Sequence, residues 1–118
     1  MEPQQRITGD DMPHLPTPVA TYFGLSPDAG RAALATAFVE DAVVHDEART
    51  YRGIPEIRDW RIDTMARTPF TARPLSLKES GNTVIIPTEV TGDFPGSPLT
   101  LNHRFTLRDD RITALEIG

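Results

Sequence analysis

Cysteine is absent from all 118 residues, which excludes disulfides, thiolate nucleophiles and sulfur-ligated zinc. Aromatic side chains are scarce at 7%, with a single Trp and two Tyr, so each has few places to act. Basic residues number 12 against 17 acidic ones, giving a net charge of −5 with no basic stripe. No nucleic-acid partner is expected from that balance. No apolar run reaches the length of a bilayer span, and the N-terminus lacks the apolar core of a signal peptide. A cytoplasmic protein with no membrane partner is the expectation. Metal and cofactor signatures are missing too. The three histidines show neither His-x-His nor His-Glu-x-x-His spacing, and there is no phosphate loop, dinucleotide fingerprint or Gly-x-Ser-x-Gly. Any chemistry is therefore expected to run without a metal and without a cofactor.

What is present fits one domain of 13.0 kDa whose 11 prolines and 8 glycines divide it into short elements. Residues 1–16 are polar, proline-rich and aperiodic, which predicts a mobile tail before a domain over 17–118. Thr17-Pro18 reads as an N-cap and first helical residue, opening a helix through Tyr22 that Gly24 ends. Ser26-Pro27 repeats the signal, and Leu34 and Phe38, one turn apart, predict a second helix running to about Val39. A strand is expected over Ala42–Glu47. A third helix from Gly53 to Thr68 would gather Ile54, Ile57, Trp60 and Met65 on one face.

From there the period is two. Leu75 and Leu77, then Val84, Ile86, Thr88 and Val90, then Leu99, Leu101, His103, Phe105 and Leu107 alternate with polar residues. A last strand holds Ile112, Leu115 and Ile117. Helices followed by an antiparallel meander predict an α+β fold, a bent sheet over helices with a cavity open at one end.

Two polar residues fall on the inward phase of their strands. Asp46 continues the face of Ala42 and Val44, and His103 lies between Leu101 and Phe105. A carboxylate on a buried face must be paired, hydrogen-bonded or shifted in pKa. An ion pair with Arg49 or Arg52 is the structural reading of Asp46, and a satisfied core histidine that of His103. An inward Asp and an inward His in one cavity are also an acid–base pair.

The run Ala37 to Asp46, Tyr51-Arg52-Gly53, Ile57 with Trp60, and His103 to Leu107 followed by Asp110-Arg111-Ile112 resemble the SnoaL-like branch of the nuclear transport factor 2-like superfamily. The resemblance implies a cone: a curved mixed sheet wrapped around three helices of the N-terminal half, commonly dimeric through the outer face of the sheet. Laid on its ketosteroid isomerase members, whose pKa pattern is a standard example, it implies Asp46 as general base and Tyr22 as oxyanion donor. His103, or Asn102 if the register slips by one, takes the place of the second donor. Trp60, Phe38, Tyr51, Phe94, Leu101 and Phe105 are then the expected substrate-binding wall. The implied activity is an isomerase, cyclase or dehydratase acting on a hydrophobic carbonyl or polyketide-like metabolite. The alternatives are a non-catalytic small-ligand binder and, fitting less well for want of a second acid beside Asp46, an epoxide hydrolase.

Overall fold

The computed structural model describes residues 14–118. Three helices precede or interrupt seven strands: α1 Thr17–Gly24, α2 Arg31–Leu34, β1 Phe38–Asp46, β2 Arg49–Arg52, α3 Gly53–Arg67, β3 Phe70–Pro74, β4 Lys78–Ser80, β5 Thr83–Gly92, β6 Leu99–Arg108 and β7 Arg111–Ile117. The strands form one curved sheet in the order β2-β1-β7-β6-β5-β3, with β4 added along β5. All neighbours are antiparallel except β1 and β7, which run parallel and make the sheet mixed.

Alternation fixes which residues face the helices. β5 buries Val84, Ile86, Thr88 and Val90, and β6 buries His103 and Phe105, as the period-two pattern predicts. Ile112 and Leu115 are both buried although they are three apart. A register shift opposite Thr106–Leu107 supplies the extra residue that lets both face inward. The core joins these side chains to Val19, Leu34, Phe38, Val44 and Ile57.

Several local expectations give way to tertiary packing. The N-cap of α1 is Pro16 rather than Thr17, its carbonyl accepting from Ala20 N–H at 2.9 Å. The helix expected to run to Val39 stops at Leu34, and Phe38 opens β1 instead. The Ile112 N–H reaches the Ala37 carbonyl at 2.7 Å, so sheet pairing outweighs the helix preference of the alanines. β2, with Tyr51 as its one apolar ring, shows no apolar period. The strand expected around Leu75 and Leu77 is split into β3 before them and β4 after them, with Leu75 exposed and Leu77 packed against the core. Most of the expected tail, residues 1–13, lies outside the described residues, while Leu15 packs against the core.

Candidate active site

The inward-facing residues of β1 progress from Ala42 and Val44, both fully buried, to half-buried Asp46 at the strand's end. The chain then reverses through Glu47 (φ 53°) and Ala48 (φ 63°), a left-handed pair that suits the twist of a tight hairpin. Neither residue is a glycine, so the turn stores roughly 1 kcal/mol or more at each position. β6 runs the other way, so its first inward residues, Leu101 and His103, lie at the same open end as Asp46. α1 contributes Tyr22, and α3 contributes Trp60.

These residues enclose a cavity of about 590 Å³. Asp46, His103, Tyr22, Trp60, Phe94 and Leu101 all line it. Phe38 and Phe105 do not: they are buried in the closed end of the core, where both rings meet Tyr22 edge-on at 5.8 and 5.4 Å. Tyr51 is also off the cavity. It stacks on the outer side of Trp60 at 5.8 Å, in a polar cleft behind the wall. The position of Phe94 depends on Gly92, where a Cβ would fall 2.6 Å from the Pro69 carbonyl oxygen and 3.0 Å from the Phe94 ring. Asn102 faces outward and exchanges two backbone hydrogen bonds with Gly118, so the register places His103 inside.

Asp46 makes no ion pair with Arg49 or Arg52. The Trp60 indole donates its N–H to Asp46 Oδ2 at 3.0 Å instead. Burial raises the Asp46 pKa above its ordinary value, and the Trp60 hydrogen bond only partly opposes this. His103 is almost fully buried, and burial lowers its pKa to about 4. The ring is therefore neutral near pH 7, with Nδ1 lacking a partner. Burial likewise raises the Tyr22 pKa, against the pull of the Arg61 guanidinium, so the phenol keeps its proton. Together these groups offer one poised carboxylate and two neutral hydrogen-bonding groups in an apolar surround.

Arg61 was not foreseen. Its Cζ sits 5.1 Å from the centroid of the Tyr22 ring, and its Nη2 donates to the Ser26 carbonyl at 3.2 Å. It stands one turn after Ile57 on the buried face of α3, a spacing that could have revealed it, but its charge suggests solvent. Thr64, one turn after Trp60, lines the cavity for the same reason. No group of three or more potential metal ligands occurs among the described residues.

Comparison with known proteins agrees with this fold. The model of the SnoaL-like domain family matches residues 22–115. A protein from Sinorhizobium meliloti, provisionally named a polyketide cyclase, is 36% identical with a TM-score of 0.81, the match covering 88% of this chain and 95% of that one. A protein of ketosteroid isomerase-like fold from Catenulispora acidiphila, crystallised with trimethylamine, is 21% identical (TM-score 0.72; 89% and 86% covered). A provisionally named SnoaL-like isomerase from Agrobacterium tumefaciens shares 15% identity at a TM-score of 0.68 (86% and 92% covered). Curated protein sequences give no significant match. With the family model spanning most of the domain and a third of the residues shared with the first of these structures, the chain belongs to the SnoaL-like family.

Proposed function

We propose that this protein is a cofactor-independent acid–base enzyme that enolises a hydrophobic carbonyl compound of polyketide-like character. The observation that carries the reading is the shared cavity of Asp46, Tyr22 and His103, with Asp46 desolvated and oriented by Trp60. The names given to its structural relatives, a polyketide cyclase and an isomerase, support the same class.

In this reading Asp46 takes a proton from the carbon next to the carbonyl. The C–H electron pair becomes the new C=C bond, and the carbonyl π pair moves onto oxygen. Tyr22 O–H and a ring N–H of neutral His103 donate to that oxyanion, and both gain strength as its charge develops. His103 acts as a hydrogen-bond donor, because a pKa of about 4 leaves almost no imidazolium at pH 7. Where the substrate carries a β,γ double bond the product is a dienolate. The Asp46 carboxylic acid then returns its proton to the γ carbon as the double bond moves into conjugation and the carbonyl re-forms, which completes an isomerisation. If a second carbonyl lies within the same substrate, the enolate carbon attacks it and closes a ring, the first carbonyl re-forms, and the new alkoxide takes the proton held by Asp46. Neither outcome needs an oxidant or a co-reactant.

The test is turnover of aromatic and polycyclic ketones and diketones by the purified protein, followed as proton–deuterium exchange beside the carbonyl. Asp46→Asn keeps the shape and the acceptor for Trp60 but removes the base. It should lower exchange by about a hundredfold or more. Unchanged exchange in that variant, or none above background in the wild type, would leave a ligand-binding protein of the same fold as the better description.

A further inference from the structure

Buried polar side-chain atoms in folded proteins nearly always have a hydrogen-bond partner, so each exception calls for a cause. Among the described residues there are three such orphans: Arg61 Nε, Thr64 Oγ1 and His103 Nδ1. All three belong to residues that line the same cavity. Scattered packing faults would not converge on one space.

Arg61 is the most costly of them. Among the described residues ion pairs form at Arg58–Asp59, Arg67–Asp63, Arg73–Glu89 and Arg104–Glu116, and none of them involves Arg61. Asp46 and Glu47 line the same cavity but neither comes within ion-pair distance of the guanidinium, and a guanidinium left unpaired beside an apolar wall is unfavourable. A role as a strut, tying α3 to the α1–α2 connection, accounts for Nη2 on the Ser26 carbonyl and for the stack on Tyr22. It does not account for Nε, which has no partner among the described residues. Thr64 lies three residues on, along the same face of the helix. Threonine has two accessible χ1 rotamers in a helix, and a single rotation exchanges its methyl for its hydroxyl. The guanidinium is meanwhile held in place by the ring and the carbonyl, so little entropy is lost when it meets an acceptor.

The geometry points to an anion subsite: Arg61, helped by Thr64, binds an ionised carboxylate on the ligand, so that the preferred ligands of this cavity are hydrophobic compounds that carry an acid group. This rests on the cavity being a ligand site, as proposed above, but not on Asp46 being a base. The apolar body of the ligand would lie against Leu101, Phe94 and Trp60, with the acid at the α3 wall.

The matched pair 4-phenylbutyrate and its methyl ester tests it at pH 7.5. The chain has one tryptophan, Trp60, on the cavity wall, so its fluorescence reports occupancy directly. The acid should bind about tenfold or more tightly than the ester, the worth of one charge-assisted hydrogen bond. Arg61→Gln should erase that preference while ester binding changes less than threefold. Arg61→Lys, which keeps the charge, should restore part of it and covers the case in which Arg61→Gln does not fold. Equal affinity for acid and ester in the wild type overturns the subsite and leaves the cavity reading standing. A preference that persists in Arg61→Gln overturns it too. Failure of both probes to bind at millimolar concentration overturns the subsite and the ligand-binding cavity together. Asp46→Asn should keep the acid preference even if it shows the enolisation reading to be wrong.

Discussion

The two ends of this cone are built by the same strands to opposite rules. At the closed end β1, β6 and β7 place Phe38, Phe105, Ile112 and Leu115 at 1% exposure or less, with no polar side chain among them. At the open end the same strands carry Asp46, His103 and Ile117 around an unfilled space. Their hairpin turns differ likewise. Asp109 and Asp110 turn β6 into β7 with φ of 52° and 62°, and aspartate tolerates that conformation. Glu47 and Ala48 adopt nearly the same angles beside Asp46 with residues that tolerate it poorly. Stability is concentrated at one end and chemical potential, along with backbone strain, at the other.

The largest expected effect separates the ends by kind. Asp46→Asn should cost about two orders of magnitude in exchange while leaving the fold as stable or more stable at neutral pH. The sign follows from the raised pKa of Asp46. The native state holds that proton more tightly than the unfolded chain, so the residue's stabilising contribution is complete below the unfolded value and is lost as pH rises through the folded one. Thermal melts at pH 7 and pH 4 check it: any gain in the variant should shrink in acid. A variant that melts well below wild type at pH 7 would mean that the carboxylate belongs to the structural end of the comparison.

Phe105→Ala should show the mirror image, a loss of about 3–5 kcal/mol in urea unfolding from a cavity left in close packing. Had Phe105 belonged to the ligand wall, truncation would instead enlarge the site at modest cost in stability. The distinction matters because β6 carries both kinds of residue. Alternation along Leu101, His103 and Phe105 told which face each one occupies. It carried no information about depth along the cone, and so Phe105 and Phe38 were legible as inward but not as remote from the cavity. Asp46 and His103 were legible because polar residues on an apolar phase stand out. Arg61 was hidden by its charge, and β2 by the polarity of Arg49-Thr50-Tyr51-Arg52, since a strand held by a tight turn and an edge pairing needs no apolar period. The short α2 failed for a different reason: local propensity favoured a longer helix, and pairing with β7 overrode it.

Next in size is the pH response of the open end. His103 titrates near 6.5 when unfolded and at about 4 in the native state. Between those values the unfolded chain binds more protons, so stability present above pH 6.5 should fall as the pH drops toward 4, by up to about 3 kcal/mol. His103→Phe removes that titration and keeps an aromatic ring among Phe23, Phe105 and Tyr22, which surround it. Urea midpoints from pH 7 to pH 4.5 should therefore slope less in the variant than in the wild type. Parallel slopes would assign the acid sensitivity to other groups.

The smallest effect concerns the strained turn. Ala48→Gly relieves a left-handed alanine and should raise stability by up to about 1 kcal/mol, a shift of a few degrees in Tm. No gain would mean that the added freedom of glycine in the unfolded chain cancels the relief.

The parallel pairing of β1 with β7 has a consequence for how the protein is made. β1 leaves the ribosome well before β7, with five strands and α3 made between them, yet Val43, Val44 and His45 pair with Ala114, Leu115 and Glu116. Until β7 arrives, the strand that carries Asp46 has only the short β2 on one side, and its other edge is open. The open end therefore cannot be completed until β7 has emerged, and a chain halted before β7 would display an unpaired Val-rich edge. Such an intermediate is a natural client for a chaperone, and a natural seed for aggregation when none is at hand.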